Sequence, residues 1–170
     1  MITFVPIAEV EPQAVEELLD RAFGTDRQSR TAYRIREGMA PIAELSFAAI
    51  EDGTLVGTIQ CWPILFDADA GRDVPLVMVG PVAVEPERQR DGIGHRLMEH
   101  ALEAARTSCQ SDALMLIGDP EYYGRFFGFA ADHTGGWRVP GPVERRRLLA
   151  RGDSVPRGAG MLGPRVSVPA

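Results

Sequence analysis

Apolar positions along the chain switch between two periods. Ile2 to Val5 is a short strand candidate. From Glu11 to Phe23 the spacing becomes helical: Val15, Leu18, Leu19 and Phe23 share one face, and Gly24 follows as the stop. Arg27 to Gly38 is polar and Arg-rich, with a short helical pattern around Ala32 to Arg36. Ala43 to Glu51 and Thr54 to Phe66 are two strand-like runs joined by Asp52-Gly53, a pair that favours a tight hairpin turn. Asp67 to Asp73 reads as a loop. Val74 to Val84 predicts a long apolar strand, and Gly80-Pro81 inside it argues for a bulge or a kink.

The strongest helical pattern runs from Gly92 to about Ser108. Ile93, Leu97, Met98, Ala101, Leu102 and Ala105 form its apolar stripe, with Arg96, Glu99, Glu103 and Arg106 facing out. Ala113 to Ile117 is short and wholly apolar, as expected in the middle of a sheet. Pro120 opens another helix, which runs through Tyr122-Tyr123 and ends near Gly128. Beyond Ala131 the pattern weakens. Edge strands are expected at Trp137-Arg138-Val139 and near Arg165 to Val168, with irregular connections between them.

Val74–Val84, Gly92–Ser108 and Ala113–Ile117 make a βαβ unit, whose two strands should be parallel. The earlier hairpin is antiparallel, so the fold class is α/β with a central mixed sheet and helices on both faces. We expect one domain over 1–170, with a core at 2–131 and a tail of edge strands and irregular segments at 132–170. Ligands in such sheets bind beyond the carboxyl ends of strands, where the Gly92 turn and the Asp119-to-Phe127 segment both begin.

Composition narrows the chemistry. The 170 residues carry a formal net charge of −6, a weak prior for nucleic-acid binding. No leader pattern and no apolar run of membrane-spanning length is expected, which points to a cytoplasmic protein with no membrane partner. Cys61 and Cys109 lack metal-ligand spacing and read as reduced, mostly buried thiols. His95, His100 and His133 form no ligand pair, so no metal is expected. Every basic side chain is arginine. The absence of lysine removes a Walker-type phosphate loop and any Schiff base.

The most informative stretch runs from Val82 to Leu97. An apolar strand ends at Pro86, a polar turn follows, and Gly92 and Gly94 open a helix. That order can hold a phosphate on backbone N–H groups. A Rossmann reading would need a third glycine where Leu97 stands. Gln89-Arg90-Asp91-Gly92-Ile93-Gly94 resembles the Q/R-x-x-G-x-G/A acetyl-CoA signature of the GCN5-related N-acetyltransferases. Gly80 to Pro86 is similar to that family's cofactor strand. Leu116-Ile117-Gly118-Asp119-Pro120-Glu121-Tyr122-Tyr123-Gly124-Arg125-Phe126-Phe127-Gly128-Phe129 resembles the G-D-P-x-Y-Y-x-R-F-G-F segment of its YhbS-like branch. The resemblance covers roughly Ile2 to Phe129.

The resemblance implies the acyl-CoA N-acyltransferase fold and transfer of an acetyl group from acetyl-CoA to a primary amine of a small molecule or protein. The pyrophosphate would rest on the backbone N–H groups from Arg90 to His95, with Gln89, Asp91, Gly92, Ile93 and Gly94 in the same loop. The pantetheine arm would pair with Val82, Ala83 and Val84, which requires the Ala113–Ile117 strand to splay away. An N–H near Val82 or Ala83 would polarise the thioester carbonyl. Tyr123, or else Tyr122, would protonate the leaving thiolate. Both tyrosines, Asp119 and Phe126 join the cofactor set. Sheet edges often pair in the family, which leaves a homodimer open. A non-catalytic acyl-CoA-binding or sensing module on the same fold is the competing reading.

Asp91 opposes a pyrophosphate by charge and is read as the N-cap of the following helix, with Arg88, Arg90 and Arg96 offsetting it. Asp119 suits amine binding, a base role or helix capping alike. Phe126, Phe127 and Phe129 are read as core packing. Arg30, Arg34 and Arg36 border the acceptor site in the family, although such a run is ordinarily a solvated face. Arg145-Arg146-Arg147 is read as surface.

Overall fold

The two periodicities separate into strands and helices where the sequence places them. The computed structural model describes residues 1–166. Its elements are β1 (Ile2–Pro6), α1 (Pro12–Phe23), α2 (Thr31–Ile35), β2 (Phe47–Glu51), β3 (Thr54–Ala68), β4 (Val74–Val84), α3 (Ile93–Thr107), β5 (Leu114–Ile117), α4 (Pro120–Phe127), β6 (Trp137–Arg138), β7 (Leu148–Arg151) and β8 (Gly160–Pro164). Strands hydrogen-bond in the order β1-β2-β3-β4-β5-β7, and β8 joins β3 to β6. The β4–β5 and β6–β8 pairs are parallel, whereas β1–β2, β2–β3, β3–β8 and β5–β7 are antiparallel. The sheet is therefore mixed and mostly antiparallel. Among the described residues no helix is long and apolar enough to cross a membrane.

Contacts divide the chain into two compact units, and the chain passes from one to the other inside β3 and inside β4. The first holds Met1–Gln28, Pro41–Cys61 and Gly80–Cys109. Asp52 and Gly53 both take positive φ (51° and 77°), the mirror-image turn whose twist matches a hairpin. α1 buries Val15, Leu18 and Leu19 in a cluster with Ala83 of β4. α3 buries Ile93, Leu97, Met98, Ala101 and Ala105, while Leu102 is only partly covered. Gly57 of β3 allows that approach: a Cβ there would stand 2.9 Å from Ile93 Cγ2 and 3.0 Å from Leu97 Cδ1.

The second unit holds Ser29–Ala40, Trp62–Val79 and the chain from Gln110 on. Its core gathers Trp62, Ile64, Phe66, Met78, Met115 and Trp137, among others. Two strands differ from the sequence reading. β7 lies beside β5, paired from Leu114↔Arg151 to Ile117↔Leu148, with Leu148, Leu149 and Ala150 buried. Leu-Leu-Ala carries no strand propensity and follows three arginines, so its burial against β5 is what makes it a strand. The expected strand near residues 165–168 is instead β8 at Gly160–Pro164. Arg165 and Val166 lie outside any strand, and 167–170 lie outside the described residues. Packing chose the glycine-rich register: a Cβ on Gly160 would meet Phe66 Cζ at 2.4 Å, so only glycine fits against that ring.

Smaller corrections follow the same logic. Residues 43–45 form a 3-10 turn rather than the start of the hairpin, because the Ser46 hydroxyl donates to Ile42 O at 2.9 Å and accepts from Cys61 N at 3.1 Å. Arg36 is only 7% exposed, not solvated; its guanidinium lies 4.0 Å from the Tyr33 ring centroid and 3.7 Å from that of Trp62. Cys61 is buried, but Cys109, at a positive φ (59°) just past the end of α3, is exposed. Arg145, Arg146 and Arg147 are exposed, as read.

Candidate active site

β4 continues through a cis Gly80-Pro81 peptide to Val84. Ala83 is buried, while Val82 and Val84 are partly covered. Beyond the strand, Glu85 to Asp91 wind through two turns: Arg88 N–H donates to Glu85 O at 2.8 Å, and Asp91 N–H donates to Arg88 O at 3.1 Å. Gln89 and Arg90 are exposed on this loop. Gly92 then takes a left-handed conformation (φ 77°, ψ 12°) as the N-cap of α3. A residue with a Cβ resists that φ, so the first glycine of the pair is required by the backbone. Gly94 faces the strand, where a Cβ would sit 3.5 Å from both Val82 Cγ1 and Val84 Cγ2, an ordinary contact.

Gly92 has no side chain with which to cap α3. The first intrahelical bond joins Arg96 N–H to Gly92 O at 3.1 Å. The N–H groups of residues 92–95 therefore precede the helical ladder, at the positive end of a 15-residue helix. His95, partly exposed, holds its Nε2 3.7 Å from Glu99 Oε1.

Asp91 is not the cap. It precedes the N-cap by one residue, and its carboxylate accepts from Arg88 Nε instead. The same guanidinium donates to both Glu51 oxygens, Nη2 reaching Oε2 at 3.3 Å. These pairs raise the Arg88 pKa further and hold Glu51 below the usual carboxylate range. The sequence marks Arg88 only as a charge offset and Glu51 only as the end of a strand. A hairpin-end carboxylate that is 37 residues distant leaves no signal in the local pattern.

The second strand-to-helix junction is built differently. Asp119 is the N-cap of α4, and its carboxylate accepts Glu121 N–H at 3.0 Å. Of the three roles open to Asp119, capping is the one its hydrogen bond shows. Gly128 closes the helix at φ 74°. Tyr122 and Tyr123 meet edge-on with centroids 5.0 Å apart. Tyr122 also neighbours Phe126 at 5.3 Å and Phe127 at 5.8 Å. Burial of the Tyr123 phenol, with a smaller push from Tyr122, raises its pKa above the ordinary tyrosine value. Gly118 was not read as a site residue, yet it makes room for that ring: a Cβ there would stand 2.5 Å from Tyr123 Cε2. Phe127 and Phe129 are core residues, as read. Phe126 is not, at 49% exposed, because it falls on the outer side of a one-face helix whose buried residue is Phe127. Among the described residues no group of three His, Cys, Asp or Glu could hold a metal ion.

Val82 to His95 belong to the first unit, and Asp119 to Phe126 to the second. The two junctions are thus each complete in their own unit.

Comparison with known proteins converges on one family. The model of the Acetyltransferase (GNAT) family matches residues 13–129, which include both junctions. The uncharacterized N-acetyltransferase YjhQ of Escherichia coli is 31% identical over 133 residues, covering 76% of this chain and 70% of that protein. Among solved structures, a GNAT family acetyltransferase from Brucella melitensis in complex with acetyl-CoA aligns with a TM-score of 0.58 at 25% identity, over 91% of this chain and 97% of that one. The fold also matches that of the GNAT family N-acetyltransferase YhbS from Escherichia coli in complex with CoA, with a TM-score of 0.70 at 23% identity, over 95% of this chain and 88% of that one. With the family model spanning well over half of its residues and both junctions inside the match, this chain belongs to the acetyltransferase (GNAT) family.

Proposed function

We propose that this protein is an acetyl-CoA-dependent N-acetyltransferase acting on a primary amine of a small molecule or protein. The observation that carries the reading is the start of α3, where Gly92 takes the N-cap in a left-handed conformation and brings no side chain to the first-turn N–H groups. An anion of the size of a pyrophosphate is the natural acceptor for such a helix end. Gln89, Arg90 and Asp91 to His95 frame it. The pantetheine arm pairs with the edge of β4 at Val82, Ala83 and Val84. The β4–β5 register supports this, because its pairs Val77↔Leu114 and Met78↔Met115 precede the Gly80-Pro81 peptide.

In the reaction a neutral amine nitrogen attacks the thioester carbonyl. The C–N bond forms, the C–S bond breaks, and a strand N–H near Val82 or Ala83 steadies the carbonyl oxygen. Tyr123 gives its phenolic proton to the departing thiolate and regains one from solvent, while the new amide nitrogen loses one to solvent. A pKa raised by burial keeps that phenol protonated at neutral pH, as an acid must be. Asp119 caps the helix that carries Tyr123. Tyr122 and the exposed Phe126 line the same helix as further acyl-CoA contacts.

The decisive measurement is CoA-thiol release from acetyl-CoA across a panel of amines. Tyr123→Phe should lower kcat by about 10²-fold or more and leave Kd for CoA nearly unchanged. If Tyr123→Phe and Tyr122→Phe both keep the full rate, neither tyrosine is the acid. Tight CoA binding with a silent panel would favour the sensing module instead.

A further inference from the structure

We propose that Arg88 is a positioning residue for acetyl-CoA: by holding Glu51 and Asp91 on one guanidinium it sets the β4–α3 loop and turns the Asp91 carboxylate away from the pyrophosphate. This rests on the reading that the start of α3 holds the pyrophosphate.

The loop contains a conflict of charge. Asp91 lies one residue before the N-cap of α3, where an anion is to bind, and a carboxylate left loose there would compete for the same N–H groups. The structure resolves it through Arg88. Its Nε takes Asp91 Oδ2, and its two terminal nitrogens take Glu51 at the end of β2. The Arg88 backbone braces the same turn, donating to Glu85 O and accepting from Asp91 N–H. The arginine thus staples the loop to the β2–β3 hairpin through its planar fork, a geometry that a lysine could not reproduce.

One cation now faces two carboxylates, so the group as a whole is negative and Arg88 has no charge to offer a phosphate. Its effect on the ligand must be indirect. Arg96 is also engaged, with its guanidinium 4.8 Å from the Phe4 ring centroid. Arg90 makes no ion pair or hydrogen bond among the described residues and stays available for direct contact. Three arginines that look equivalent in the loop sequence therefore divide into one staple, one packed on an aromatic ring and one open to a ligand.

The test is a titration of CoA, and of pantetheine, which lacks the pyrophosphate, into wild type, Arg88→Gln, Asp91→Asn, Glu51→Gln and the Arg88→Gln/Asp91→Asn double variant. Arg88→Gln should weaken CoA by roughly tenfold, because it frees the Asp91 charge and unmoors the loop. Pantetheine binding should not change. The double variant should recover most of the loss, and added salt should narrow the gap between Arg88→Gln and wild type by screening the freed carboxylate. Glu51→Gln, which keeps the Asp91 pair and loses the mooring, should weaken CoA by about threefold; it carries the test should Arg88→Gln fail to fold. Wild-type affinity in Arg88→Gln, no recovery in the double variant, or an equal loss for pantetheine would each overturn the staple. A wild-type protein that does not bind CoA at all would overturn the cofactor reading and the staple together.

Discussion

β4 and β5 both run into a helix, and both junctions carry an aspartate at the turn. At β5 the aspartate, Asp119, is itself the N-cap of α4 and accepts a first-turn N–H at 3.0 Å. At β4 the cap position is taken by Gly92 in a left-handed conformation, and Asp91, one residue earlier, is bound to Arg88. A single residue of offset separates the two outcomes. An aspartate at the cap satisfies the helix internally. An aspartate just outside it, held by an arginine, gives the helix start no side-chain cap of its own. The same local vocabulary thus produces one junction capped by its own aspartate and one, proposed above to bind an anion, whose aspartate is held by an arginine.

The largest effect expected from breaking this contrast is at Gly92. A β-branched residue in the left-handed region costs about 1–2 kcal/mol or more, so Gly92→Val should distort the helix start and lower CoA affinity at least ~10-fold, as read by CoA titration on protein with wild-type circular dichroism. Unchanged affinity would remove the binding half of the comparison. Next comes the pair of aspartates. Asp119→Ala should lose roughly 1 kcal/mol in chemical denaturation, the worth of an N-cap, whereas Asp91→Ala should stay within about 0.5 kcal/mol of wild type. Equal losses at the two sites would mean that Asp91 caps after all.

The smallest expected effect is on pH dependence. Tyr123 has its pKa raised by burial, so its acid form persists beyond the ordinary tyrosine value of about 10. The alkaline limb of kcat due to this residue should therefore lie above that pH, and a limb near pH 8 that disappears in Tyr123→Phe would contradict the burial. Glu51 runs the other way. Its pKa is lowered, first by the hydrogen bond from Arg88, so the pair is intact above the ordinary carboxylate range and is lost only as pH falls through the depressed value.

Much of the fold was legible because period and punctuation agreed. The stripe of α3, the Asp52-Gly53 turn, the long β4 and the Pro120-to-Gly128 helix all stand within a residue or so of where the pattern puts them. The candidate loop was legible too, since two glycines opening a helix after a strand is a local feature. What escaped was whatever depended on a distant partner. Asp91 looks like a cap until Glu51 and Arg88 are placed beside it. Leu148–Arg151 becomes a strand only against β5. Gly160 and Gly118 are ordinary glycines in the sequence and required ones beneath the rings of Phe66 and Tyr123.

The sequence by itself determined the element types, the βαβ order, the glycine-bearing helix start and the family resemblance, because each is written in neighbouring residues through propensity, period and turn chemistry. Tertiary structure alone decided which aspartate caps, which arginine is tied to carboxylates and which weak segments become β7 and β8. Those outcomes depend on the side chain or strand that stands a few ångströms away in space, and a local pattern carries no trace of it.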